Sequence, residues 1–216
     1  MKPGVTRLLS IAASLLVFWA MSPTKAETRM PIVVAFGDSL TAGYGLPQAE
    51  TFPVQLEAAL KARGQSVSVV NAGVSGDTAA AGLARLDWAL PPDASAVIIE
   101  LGANDALQGL PPEGTKAALE KIIEKVQAKG LPILLAGMEA PRNMGKDYVQ
   151  AFAAIYPELA ERYGVILYPF FLDGAALNVG LMLPDGIHPN ARGVARIVEN
   201  MLPKVEELLA EVAAKN

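Results

Sequence analysis

The chain has one histidine and no cysteine. His188 stands in Asp185-Gly186-Ile187-His188-Pro189, three residues after a carboxylate. In a turn of that length Asp185 can accept a hydrogen bond from the imidazole. Such a bond fixes the tautomer and stabilises the imidazolium formed when the ring takes up a proton. A serine hydroxyl is a weak nucleophile without such a base, and Ser39, in Gly37-Asp38-Ser39-Leu40, is the candidate it would serve. Taken alone, His188 reads as a surface or satisfied histidine, and Ser39 as a helix N-cap following a strand. The cap and the nucleophile are compatible roles, because a helix N-terminus adds a local positive field.

Attack on a carbonyl carbon puts negative charge on its oxygen, and that charge needs fixed donors. Gly73 lies in Asn71-Ala72-Gly73-Val74-Ser75-Gly76, where a missing side chain lets a backbone N–H approach closely. Asn104, in Gly102-Ala103-Asn104-Asp105, offers an amide. With the N–H of Ser39 these form a plausible three-donor oxyanion hole. Singly, Gly73 reads as a tight turn and Asn104 as an Asx-turn.

The elements that must position these residues follow from periodicity. Short apolar runs at 31–36, 66–70, 96–101, 132–136 and 165–168 read as buried strands. Between them, helical spacing appears at 52–63, 78–90, 115–129 and 148–163, the last expected to be irregular at Pro157. A final helix begins near Asn190, a good N-cap, and Pro203 should bend it. Its apolar stripe of Val194, Ile197, Val198, Met201, Val205 and Leu208 suits a core or an interface equally. Alternating strands and helices predict an α/β fold. The expectation is a three-layer α/β/α sandwich around a flavodoxin-like, doubly wound parallel sheet of about five strands. Ligands bind such sheets at the carboxyl ends of the strands, and the segments holding Ser39, Gly73 and Asn104 follow three successive predicted strands.

Taken together, four blocks resemble the SGNH subgroup of the GDSL hydrolases. They are Gly37-Asp38-Ser39-Leu40, the glycine block, Gly102-Ala103-Asn104-Asp105 and Asp185-Gly186-Ile187-His188-Pro189. Gly76-Asp77-Thr78, Gly82-Leu83-Ala84-Arg85-Leu86 and Gly137-Met138 are similar to the small bacterial periplasmic branch of thioesterases, lysophospholipases and arylesterases. The resemblance runs from about Pro31 to about Leu209. It implies a triad of Ser39, Asp185 and His188, and an oxyanion hole of Ser39 N–H, Gly73 N–H and the Asn104 amide. It also implies a metal-free acyl-enzyme mechanism with no cofactor. No G-x-S-x-G occurs, so the nucleophile elbow of the α/β-hydrolases is absent. By the same resemblance, residues 76–82 form a mobile loop beside the acyl pocket and 138–148 a second pocket loop, with Arg142 near the acyl or leaving-group side or simply solvated. Leu40, Met138, Pro141 and Ile187 are candidate substrate-binding residues of an apolar groove. No long extra segment reads as a lid, so an open, shallow site is expected.

The first 26 residues read as a signal peptide. Lys2 and Arg7 flank the start of an apolar run at 8–20, and Thr24-Lys25-Ala26 gives small residues at −3 and −1 of a cut. Residues 27–216 are then the hydrolase domain, periplasmic or secreted, with no stable membrane anchor after cleavage. The whole chain has 18 basic and 22 acidic side chains; losing Lys2, Arg7 and Lys25 leaves 15 against 22, a net charge of −7. With no basic patch, a nucleic-acid partner is not expected. One histidine and no cysteine make zinc improbable, whereas carboxylate-bound calcium is open on composition alone.

The expected partner is a small-molecule ester or thioester. The leading expectation is an esterase for short to medium acyl and aryl esters, with acyl thioesters as further substrates. A lysophospholipase or a carbohydrate deacetylase would use the same triad, though no aromatic-rich module suggests sugar binding. A periplasmic binding module that kept the fold would not need Ser39, Asp185, His188 and Asn104 together.

Overall fold

The computed structural model describes Met1 and residues 30–215. The expected leader at 1–26 lies, beyond Met1, outside the described residues. Five strands alternate with helices: β1 (Ile32–Gly37), β2 (Ser68–Gly73), β3 (Ala96–Glu100), β4 (Ile133–Ala136) and β5 (Ile166–Tyr168). All neighbours pair in parallel, in the order β2-β1-β3-β4-β5. This is the doubly wound, flavodoxin-like order, and the chain reverses direction across the sheet between β1 and β3. The helices are α1 (Ser39–Ala42), α2 (Phe52–Ala62), α3 (Ala79–Ala89), α4 (Ala103–Leu107), α5 (Pro112–Ala128), α6 (Lys146–Tyr163) and α7 (Ala191–Ala214). α2 packs with α7, and α5 with both α3 and α6, giving the outer layers.

Burial explains the sheet. Val33, Val34, Ala35 and Phe36 of β1 are buried, as is every residue of β3 and β4. Strands covered on both faces read as continuous apolar runs rather than alternating ones. The stripe on α7, from Val194 through Val212, is buried in the same core, so that apolar face is interior.

Four elements differ from the sequence expectation. β2 continues to Gly73 instead of stopping at Val70, because Asn71, Ala72 and Gly73 stay in register with Ala35, Phe36 and Gly37. α6 runs unbroken through Pro157, where the buried Phe152, Ile155, Tyr156 and Leu159 hold the helix despite one missing N–H. The short helices α1 and α4, of 4 and 5 residues, carry no readable periodicity, yet each starts within three residues of a strand end.

Candidate active site

The crevice at the β1/β3 reversal collects the chemistry. Ser39 is the first residue of α1, and the cap before it is Asp38, whose Oδ1 accepts the Leu40 N–H at 3.0 Å. Ser39 is therefore not the N-cap, and its hydroxyl is left for another partner. That partner is His188, whose Nε2 lies 2.9 Å from Ser39 Oγ. On the far side of the ring, His188 Nδ1 is 2.7 Å from Asp185 Oδ2.

The loop that carries this pair is rigidly tied. Asp185 Oδ1 accepts the N–H groups of Ile187 and His188 at 2.9 and 3.0 Å. The His188 N–H, assisted by the Ile187 N–H and the imidazole, holds the Asp185 carboxyl down at about 2. Leu183 N–H donates to His188 O at 2.7 Å, and Asn190 caps α7 while its amide donates to Gly180 O and Met182 O. A Cβ on Gly193 would lie 2.1 Å from Leu181 O, so glycine there lets the loop seat on the first turn of α7.

Residues 35–196 match the model of the GDSL-like lipase/acylhydrolase family. The chain belongs to that family. It is 40% identical over 189 residues to an arylesterase of Vibrio mimicus, covering 86% of this chain and 92% of that protein. It is 38% identical over 178 residues to the thioesterase 1/protease 1/lysophospholipase L1 of Escherichia coli K12, covering 82% and 84%. The crystal structure of AlinE4, an SGNH-hydrolase family esterase, matches with a TM-score of 0.71 and 44% identity, covering 84% and 97%.

The candidate oxyanion donors of this GDSL-family chain divide unevenly. Ser39 N–H, at the first position of α1, has no acceptor among the described residues. Asn104 Nδ2 reaches Asp77 O at 2.9 Å and Asp38 Oδ2 at 3.2 Å, so its amide bridges the turns after β1 and β2. Gly73 requires correction. Its N–H is donated to Asn71 Oδ1 at 3.0 Å. Its lack of a side chain serves packing, since a Cβ would meet Ala42 N at 2.3 Å and Asp38 O at 2.9 Å. The second glycine of the block, Gly76, has φ 89° in the turn closed by Asp77 N–H on Val74 O. Its N–H has no acceptor among the described residues, and the carbonyl of the next residue, Asp77, is the one Asn104 holds. Gly76 is thus the glycine with an open N–H, and nothing in the sequence distinguishes it from Gly73 three positions before.

A cleft of about 330 Å³ opens beside Ser39 and His188. Leu40, Met138, Pro141 and Ile187 all line it. Leu107, Leu172, Leu177 and Met182 line it as well and had no distinguishing mark in the sequence. Arg142 does not: it is exposed in a 3₁₀ turn (Arg142–Met144) and is not part of the cleft wall. Residues 76–82 are not a wall either. They are anchored by Ala79 N–H on Asp105 Oδ2 at 2.8 Å and by an ion pair of Asp77 with Arg85. Tyr44, also unmarked, follows the left-handed Gly43 at the end of α1 and places its ring 4.5 Å from that of His188. Among the described residues no group of three His, Cys, Asp or Glu side chains converges to hold a metal ion.

Proposed function

We propose that this ester hydrolase works through Ser39, with His188 as base and Asp185 as its orienting carboxylate. The observation that supports this reading is the continuous chain Ser39 Oγ, His188 Nε2, His188 Nδ1, Asp185 Oδ2, with links of 2.9 and 2.7 Å. In it, Ser39 Oγ attacks the ester carbonyl carbon while His188 Nε2 takes the hydroxyl proton. The oxyanion receives hydrogen bonds from Ser39 N–H, from Gly76 N–H and from the Asn104 amide, which shares with it the N–H that reaches Asp38 Oδ2 at 3.2 Å. The imidazolium then protonates the leaving alcohol or phenol, leaving an acyl-Ser39 ester. A water molecule, deprotonated by His188, attacks that ester, and the proton returns to Ser39 Oγ as the acid departs.

The substrate reading is short to medium acyl chains on aryl or alkyl esters, with acyl thioesters also accepted. It is supported by an apolar cleft that is open along one side and modest in volume, about 330 Å³. The names of the Vibrio and Escherichia relatives span arylesterase, thioesterase and lysophospholipase, which fits a shared machinery with variable acyl walls. The basic, apolar and Thr-x-Ala segments of residues 1–26 support export to the periplasm or beyond.

The test is the mature chain, 27–216, assayed against aryl esters of rising acyl length and matching acyl-CoA thioesters, beside Ser39→Ala. Turnover that disappears in the folded variant supports the mechanism, and the length profile decides the substrate class. Wild-type turnover in Ser39→Ala would sink it.

A further inference from the structure

Beneath the nucleophile turn lies a buried acid that the mechanism above does not use. Glu100 is the last residue of β3, in register with Gly37, and is 1% exposed. Its Oε2 accepts the Thr41 hydroxyl at 2.7 Å and the Asp38 N–H at 3.3 Å. A Cβ on Gly37 would come within 2.5 Å of the same oxygen, so glycine at 37 is what lets Glu100 reach under the turn. Gly37, Asp38 and Thr41, the residues around Ser39, therefore all touch one side chain.

The Asp38 N–H bond also brings Glu100 against the residue whose carboxyl charge acts on the Glu100 carboxyl. Asp38 is fully buried. Besides the Leu40 N–H, it accepts Asn104 Nδ2 at 3.2 Å. Two neighbouring buried carboxyls are not both ionised without a cation to balance them. The groups facing the pair are Arg85 of α3, Asp105 of α4, Tyr156 of α6 and His188 of the loop before α7. The Arg85 guanidinium reaches Gly37 O at 2.8 Å but is paired with Asp77. Tyr156 donates its hydroxyl to Leu101 O at 2.9 Å, and Asp105 accepts from Thr115 and Ala79.

Burial, with the charge of Asp38, pushes the Glu100 carboxyl well above its ordinary range. Burial raises Asp38 only to about 6, because the Leu40 N–H and the facing His188 favour its anion. The last proton of the pair therefore rests on Glu100. Its Oε1 is buried with no donor in reach among the described residues, and an O–H there supplies the missing partner.

We propose that Glu100 acts as a neutral acid that positions the nucleophile turn. Its O–H donates to the Asp38 carboxylate, its other oxygen holds Thr41 and the Asp38 N–H, and through Asp38 it sets the Asn104 amide. The proposal rests on the roles given above to Ser39 and Asn104. It makes Glu100 a positioning residue that touches no substrate.

The test uses the mature chain. Glutamine mimics a neutral glutamic acid, with one acceptor and one donor end, so Glu100→Gln keeps most of kcat. Glu100→Ala leaves Asp38 and Thr41 unheld and loses kcat about 10²-fold with KM little changed, the penalty of small misplacement. At about pH 8, where an ordinary glutamate is ionised, the wild type shows the infrared carbonyl band of a protonated carboxylic acid. That band moves on ¹³C-glutamate labelling and is missing in Glu100→Gln. Absence of the band in the wild type, a Glu100→Gln as impaired as Glu100→Ala, or a Glu100→Ala with wild-type kcat each overturns the proposal. If Glu100→Ala does not fold, the band and Glu100→Gln decide it. Ser39→Ala, measured alongside, keeps the two readings apart: turnover surviving there removes the nucleophile, while the band still reports on Glu100.

Discussion

His188 Nε2 lies 2.9 Å from Ser39 Oγ across 149 residues of sequence, and the same ring is held from behind by Asp185 at 2.7 Å. On the proposed mechanism the two side chains act as one unit. Removing either should lower kcat by about 10⁴-fold or more. Removing both should cost no more than the worse single change, because each alone already disables the unit. Steady-state kinetics of Ser39→Ala, His188→Ala and the double variant check this. Losses that multiply would mean the two side chains act independently.

Asp185 makes a separate prediction. Its carboxyl, held at about 2 chiefly by the His188 N–H, stays anionic through any practical assay. An acidic limb in kcat/KM therefore does not come from Asp185. Asp185→Asn offers an NH₂ where the imidazole needs an acceptor, which favours the wrong tautomer. The expected loss is about 10³–10⁴ in kcat with the fold intact. A variant with kcat within tenfold of wild type would refute the orienting role.

The readable part of this site was the part with local or unique sequence marks. Asp185 and His188 sit three residues apart, and His188 has no competitor in the chain, so their pairing could be read directly. Ser39 and Asn104 stood at strand ends, where parallel sheets bind ligands. Gly73 against Gly76 was not readable: which N–H stays open depends on the Asn71 side chain folding back 3.0 Å onto Gly73, a detail without periodicity. Glu100 is the one charged residue of the run 96–101, and nothing near it in sequence marks its partners. Its contact with Thr41 needs the register of β3 beside β1 and a glycine at 37. The five main helices and five strands were readable because each buries a stripe or a run. The helices α1 and α4 were not, since one turn has no period.

Tyr44 was invisible for the same reason, and it carries a prediction. Its ring is tilted 34° to that of His188 at 4.5 Å, with about half of the residue exposed. Such ring pairs contribute about 0.5–1.5 kcal/mol, enough to hold the imidazole against Ser39. Tyr44→Ala should lower kcat/KM roughly tenfold, while Tyr44→Phe, which keeps the ring, should stay near wild type. Equal losses in both would assign the effect to the hydroxyl instead.

Leu177 lines the cleft with φ 63°, the only non-glycine with positive φ among the described residues, and is 90% exposed. A left-handed backbone strains a branched side chain and costs glycine nothing. Leu177→Gly should therefore raise Tm slightly while removing apolar wall. Its kcat/KM should fall for acyl chains long enough to reach the rim and hold for acetyl esters. An unchanged length profile would show that Leu177 does not contact the acyl chain.

Asp38 gives a prediction about stability and pH. An acid that binds its proton more tightly folded than unfolded stabilises the fold below its unfolded value, and loses that contribution as pH rises through the folded one. For Asp38 the ordinary value is 3.8 and the folded value about 6, raised by burial. Asp38→Asn removes this titration and leaves the Glu100 acid in place. The unfolding free energy of the wild type relative to Asp38→Asn should therefore fall between about pH 4 and pH 6 and level off above. The total change is on the order of a few kcal/mol, because the group is fully buried. Urea unfolding of both chains across that range measures it. A difference that stays flat would mean that Asp38 titrates alike in the folded and unfolded chains. In that case burial is not what governs the carboxyl beside the nucleophile.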